Sequence, residues 1–279
     1  MQLTTPVSIA EYPVKIEAND RFLFVGSCFA DNIGQRFTEN TFMTSVNPFG
    51  VMYNPISICH TLDKLVQAED CKDHSPTVAL FTLGTNHVYR EIATGEIVDN
   101  CQKRPQKLFQ EEILSLRECT EALQRIVSHP FLSKTKLTIF TVSPIRYKKY
   151  GYHESQLSKA TLLLAIDSLL QENDSASCIQ NSALTYFPAY EIVLDELRDY
   201  RFYAADMIHP SDQAIGYIFE RFRDTYFSKS AKSYYEEYQP IKQALNHKPF
   251  NPDSTEYKLF LVNAQNKLSS FNRKWGRTK

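Results

Sequence analysis

Residues 22–25, Phe-Leu-Phe-Val, carry no polar side chain, and the run breaks at Gly26-Ser27 directly into a helical pattern. That junction constrains the fold more than any other feature of the chain. Arg21 to Gly26 reads as a short buried strand. Phe29, Ile33 and Phe37 then recur at i, i+4 and i+8, one face of an amphipathic helix. Ser27 therefore stands at the strand-to-helix turn.

The same order repeats along the chain. A second short strand leads into the Pro- and Asn-punctuated loop 47–55, and a helix is expected from Ile56 to Gln67. Thr77 to Leu83 reads as a strand ending at Gly84-Thr85-Asn86, and Val88 to Val98 as a hairpin turning at Thr94-Gly95. A helix is expected over Gln110 to Ser128, a strand over Lys136 to Val142, a helix over Gln156 to Gln171 and a last strand over Leu184 to Phe187. A further helix starts near Pro210-Ser211. Strands alternating with helices predict an α/β fold over residues 1–228, with a mostly parallel sheet of about five strands and helices on both faces. Residues 229–279 lack a strand pattern. They read as a helical extension, Tyr234 to Leu245 and Ser254 to Phe271, expected to cover or rim the site.

Composition excludes several classes. A net charge of −1 offers no general field for nucleic acid or for an anionic membrane. No apolar run nears the ~20 residues of a membrane span, and Met1 to Asp20 lack the basic start and apolar stretch of a signal peptide. The six cysteines form no CxxC pair, which suits free thiols in a reducing cytoplasm. Cys71 and His74 make a lone Cys-x-x-His, short of the four ligands of structural zinc. No metal and no organic cofactor is expected.

In parallel α/β sheets, ligands bind beyond the carboxyl ends of the strands. Gly26-Ser27, residues 47–50, residues 84–86, residues 143–146 and the loop Asp206-Met207-Ile208-His209-Pro210 fall there. Asp-x-x-His lets a carboxylate reach the same imidazole across one tight turn, fixing its tautomer while Nε2 accepts a proton. Pro210 suits the first turn of the helix that follows. Ser27, at a helix N-terminus, stands beside N–H groups suited to an oxyanion. Its simpler reading is a helix N-cap. Cys28 reads as a small buried residue or as a thiolate nucleophile. His87 and His153 lie near strand ends without a carboxylate at short spacing. Asn47, Asn54 and Asn86 are turn formers by default. Arg146 suits an acidic group of a substrate or an internal ion pair with Glu154 or Glu191.

Gly26-Ser27-Cys28-Phe29-Ala30 resembles the GSCFA family, a branch of the SGNH (GDSL-like) hydrolase group. Residues 47–55, Asn100-Cys101, Ser143-Pro144-Ile145-Arg146, residues 186–191 and residues 199–211 extend the resemblance in order. It implies a three-layer, flavodoxin-like fold and an SGNH-type serine esterase. Ser27 would be the nucleophile, with Asp206 and His209 completing the triad. Gly-Ser-Cys stands where that group usually has Gly-Asp-Ser, and a register shift of one would bring Cys28 to the histidine. Gly50 would supply the N–H of the second block, Gly84 and Asn86 would match the third, and one of the asparagines, Asn47 among them, would donate to the oxyanion. The implied substrate is a small-molecule or saccharide ester carrying a short acyl group. The rivals are an acyltransferase on the same triad, a non-catalytic ligand-binding module, and a thiol enzyme using Cys28.

Overall fold

The computed structural model describes residues 4–68, 75–99, 101, 104–175 and 182–277. Five strands form the central sheet: β1 Arg21–Gly26, β2 Met43–Val46, β3 Val78–Leu83, β7 Leu137–Val142 and β8 Ala183–Tyr186. Their order is β2-β1-β3-β7-β8, and every neighbouring pair is parallel. Alternate residues of β1 feed opposite faces. Phe22 and Phe24 pack with α1 (Cys28–Glu39) and α6 (Asp212–Tyr226). Leu23 and Val25 pack with α2 (Pro55–Gln67), α3 (Leu116–Val127) and α4 (Tyr152–Ser175). The result is the three-layer α/β architecture, with β3 and β7 buried along their whole length.

From β1 the chain passes through α1 to β2 on one side, whereas β3 lies on the other. The connections leaving β1 and β3 pass to opposite faces of the sheet, and a parallel α/β sheet is expected to form its crevice at the carboxyl ends of two such strands.

A second sheet, β5-β4-β6, is antiparallel. It joins β4 His87–Glu91, β5 Ile97–Val98 and β6 Phe109–Ile113. The hairpin is where it was expected, but the expected helix from Gln110 begins as a strand. Glu112 meets Arg90 and Glu111 meets His87 across β4, and these cross-strand pairs override the helix preference of Gln and Glu. The helix itself starts only after Ser115, which with Glu118 forms a capping box.

A short α-helical turn, α5 Ala189–Glu191, runs into a π-helical turn, Ile192–Glu196, after β8. Helices α7 (Lys229–Leu245) and α8 (Thr255–Lys274) close the chain. They do not rim the crevice. The Tyr234 hydroxyl donates to the Thr41 carbonyl just before β2, Lys242 pairs with Glu39, and Arg277 reaches the Ala18 carbonyl before β1. These partners lie at the amino ends of the strands, so the extension caps the opposite end of the sheet. Buried Tyr234 and Phe271 find there the aromatic surface of Phe42.

Candidate active site

At the end of β1, Gly26 adopts φ +146°, and a Cβ there would stand 2.2 Å from the Thr82 carbonyl oxygen. Only glycine lets β1 and β3 approach so closely at this point. Ser27 follows, fully buried. Its N–H lies 3.1 Å from the Thr82 carbonyl oxygen and 2.9 Å from Thr82 Oγ1. Its Oγ is 3.1 Å from the same hydroxyl and accepts from Phe29 N–H at 3.2 Å, the N-cap of α1. Cys28 differs in each respect. Its side chain is half-buried, Sγ lies 3.9 Å from the Tyr53 hydroxyl, and among the described residues its N–H has no acceptor.

Asp206 and His209 meet as their spacing predicts. His209 Nδ1 lies 2.6 Å from Asp206 Oδ2, which leaves Nε2 free. Met207, between them, takes a positive φ of 58° and tightens the turn. Asp206 Oδ1 accepts from the N–H groups of Ile208 (2.9 Å) and His209 (3.0 Å). The backbone N–H of His209, then its ring, then the Ile208 N–H hold the Asp206 carboxyl down to about 2. Pro210 is not in the following helix, which starts at Asp212 behind an Ser211 N-cap; it bridges to Tyr203 instead. Pro210 also borders Asn32 and Arg36 of α1, and Arg36 pairs with Asp212. The loop therefore lies against α1, and Asn32 stands one helical turn beyond Cys28.

Arg146 braces this loop. Its N–H donates to the Ile208 carbonyl (3.1 Å) and its Nη1 to the Met207 carbonyl (2.9 Å). Its guanidinium lies 4.3 Å from the centre of the Tyr152 ring and 5.3 Å from that of Tyr203. Among the described residues neither Glu154 nor Glu191 pairs with it; the Glu191 carboxylate accepts from Tyr186.

The other expected site residues are engaged within the fold. Gly50 N–H donates to the Asn47 carbonyl at 2.8 Å, closing a turn. Asn47 accepts from Gly26 N–H through Oδ1 (2.8 Å) and donates to Asp31 (2.6 Å), tying the end of β2 to β1 and α1. Asn86 donates to the Leu114 carbonyl and anchors the small sheet, while its buried Oδ1 lacks a partner. Asn54 caps α2. Gly84 leaves room for Tyr147, whose hydroxyl would lie 2.2 Å from a Cβ at that position. His87 pairs with Glu111 and stacks on Tyr150, and His153 is exposed. Cys71, His74 and Asn100 lie outside the described residues.

Four residues near the crevice gave no functional signal in the sequence. Thr82 clamps Ser27. Tyr53 faces the Cys28 thiol, and burial pushes its phenol up to about 12. Tyr147 stands edge-on to Tyr53, its hydroxyl buried without a partner. Lys159 is fully buried and donates to the carbonyls of Gly84 and Ser143. Lys159 alone left a trace: it sits three and seven residues before Leu162 and Ile166, a lysine on the apolar stripe of α4.

The sequence model of the GSCFA family matches residues 21–78 and 72–222. The chain belongs to the GSCFA family. A second match, the C-terminal domain of GSCFA domain proteins, covers residues 238–277, which hold the end of α7 and the whole of α8. No curated protein matches the chain. Among solved structures, this GSCFA chain has weak similarity to a protein described as lipolytic and of the G-D-S-L family from Desulfitobacterium hafniense. Identity is 12%, with 74% of this chain and 99% of that chain covered, at a TM-score of 0.46. An acetyl-xylooligosaccharide esterase, Axe2 from Geobacillus, is similar at 14% identity, with 76% and 96% covered and a TM-score of 0.43. Among the described residues, no helix is long and apolar enough to cross a membrane.

Proposed function

We propose that the chain is an acyl hydrolase of the SGNH type in which the Cys28 thiol is the nucleophile, His209 carries the proton and Asp206 orients His209. One observation carries this reading. The N–H and hydroxyl of Ser27 are both held within the fold, whereas Cys28 keeps a half-exposed thiol and a free N–H. Aligned glycine on glycine, Gly-Ser-Cys puts Cys28 opposite the serine of Gly-Asp-Ser. The Cys28 N–H is then available to a developing oxyanion at the N-terminus of α1. Gly50 N–H is engaged in its own turn and the Asn86 amide already donates to Leu114.

The reaction balances without a co-reactant other than water. His209 Nε2 takes the thiol proton as Sγ bonds to the acyl carbon. The ester C–O bond breaks, and the same proton passes to the leaving alkoxide. Water then forms the new C–O bond, the C–S bond breaks, and the thiol is restored. An alcohol in place of water makes the enzyme an acyltransferase. Short-acyl esters, acetyl groups on saccharides among them, are the substrates that fold-level analogy suggests. Use of Ser27 as nucleophile, the reading the family resemblance first implies, requires its contacts with Thr82 and Phe29 to open.

Hydrolysis of p-nitrophenyl acetate by wild type, Cys28→Ala, Ser27→Ala and His209→Ala tests the assignment. Cys28→Ala and His209→Ala are expected to lose ~10²-fold or more, and mass spectrometry is expected to find a trapped acyl group on Cys28. Acyl trapped on Ser27, with Cys28→Ala active, restores the serine reading. Three variants that all match the wild-type rate reject the site.

A further inference from the structure

Beside the crevice, on the far side of Arg146, lies a cavity of about 470 Å³ between α4 and the segment that follows β8. That volume falls in the range of small-molecule sites. Its charged groups are unevenly satisfied. Lys159, from α4, is one of its lining residues and is fully buried. As a neutral amine it is satisfied by its two bonds, to the carbonyls of Gly84 and Ser143 at 2.7 Å each. As an ammonium ion it has a third N–H with no acceptor among the described residues. No carboxylate pairs with it; its other neighbours are the rings of Tyr147 and Tyr190. Arg146 also lines the cavity and pairs only with a carbonyl through its side chain. Arg198, on the opposite wall, has no partner among the described residues.

The acidic side is thinner. Asp199 is turned onto its own loop, accepting from Arg201 N–H at 2.8 Å and pairing with the Arg201 side chain. Asp195 is the one lining carboxylate without a partner among the described residues. Three cationic side chains without carboxylate partners thus face one free carboxylate. A buried amine left without a counter-ion is costly in its charged form, and a bound anion removes that cost.

We propose that this cavity binds a small ligand bearing an oxyanion, a carboxylate or a phosphate, which Lys159 and Arg146 hold from one side and Arg198 from the other. The inference goes beyond acyl transfer, since it concerns binding and reads no turnover. Burial alone holds the Lys159 amine well below the ordinary lysine range, so an arriving anion draws a proton onto it.

Calorimetric titration of the full chain with succinate, inorganic phosphate and neutral succinamide tests the assignment. Succinate or phosphate is expected to bind at least about tenfold more tightly than succinamide, because charge-assisted bonds form only with the anions. Which of the two binds more tightly identifies the ligand as an organic acid or a phosphate. At alkaline pH the heat is expected to vary with the ionisation enthalpy of the buffer, the signature of proton uptake. Lys159→Met is expected to abolish that buffer dependence and to weaken anion binding about tenfold, and Arg198→Gln, at an exposed site, to weaken it several-fold. If Lys159→Met does not fold, Arg198→Gln and the buffer dependence of wild type still decide. Anion binding no tighter than succinamide, or anion binding untouched by the variants that fold, overturns the proposal.

Discussion

The two ends of the central sheet are built on different rules. At the amino ends, Phe37, Phe42, Phe227, Tyr234 and Phe271 interlock with ring centres 4.9–5.7 Å apart. Most polar groups there are also matched, Tyr234 with Thr41, Lys242 with Glu39 and Gln239 with Asn40, Arg277 Nε being the buried exception. At the carboxyl ends more groups stand idle among the described residues: the Cys28 N–H, the Tyr147 hydroxyl and the Asn86 Oδ1, while the buried Lys159 amine has two acceptors and no carboxylate. An unmatched buried polar group costs roughly 1–3 kcal/mol. Such groups are tolerated where other contacts offset their cost, and the C-terminal helices add contacts of that kind. On the proposed function, the extension belongs to the scaffold and the crevice to chemistry.

The contrast breaks most sharply at the amino end. Tyr234→Ala removes a fully buried ring and both of its contacts with Thr41, and is expected to cost about 3–5 kcal/mol, read by urea denaturation. Turnover per folded molecule should stay at the wild-type level. A matching loss of specific activity in protein shown to be folded would tie the extension to the crevice and undo the division of roles.

The next largest effect is at the carboxyl end. Asp206→Asn keeps the shape of the turn but no longer holds the His209 ring as a carboxylate does, and activity is expected to fall about 10²-fold. The sign of the accompanying pH effect follows from the carboxyl being held down to about 2, below its usual range. Its contribution to stability is present above about pH 4 and is lost as pH falls toward about 2. Acid melts of wild type and Asp206→Asn should therefore converge in that window. Melts that stay parallel would mean that the pair found here is not maintained in solution.

Much of this was legible in the chain. The runs 22–25, 77–83 and 136–142 gave buried parallel strands because they are mostly apolar, with threonine as the one polar side chain inside them and Lys136 at an end. Asp206 and His209 could be paired because only two residues separate them, so spacing alone decides whether they meet. What was not legible depended on distant partners. Gln110, Glu111 and Glu112 look helical until β4 pairs with them, His87 reaching Glu111 and Arg90 reaching Glu112. The C-terminal helices dock through Tyr234 on Thr41, 193 residues away, and no local pattern records which end of the sheet that is. Ser27 read as either a nucleophile or an N-cap, and its contact with Thr82 was not legible because Thr82 lies 55 residues further on.

That clamp gives the smallest effect and the finest test. Ser27→Ala removes the N-cap of α1 but leaves the backbone N–H on Thr82, so a loss of about 1 kcal/mol is expected, seen as a modest fall in melting temperature. Activity should stay within a few-fold of wild type, because the hydroxyl being removed faces β3 and not the crevice. Ser27→Gly, which keeps most of the capping preference of the position, should melt between the two. If the alanine variant instead loses activity as completely as Cys28→Ala while melting like wild type, the hydroxyl must leave Thr82 during turnover. Ser27 would then belong to the crevice and not to the scaffold.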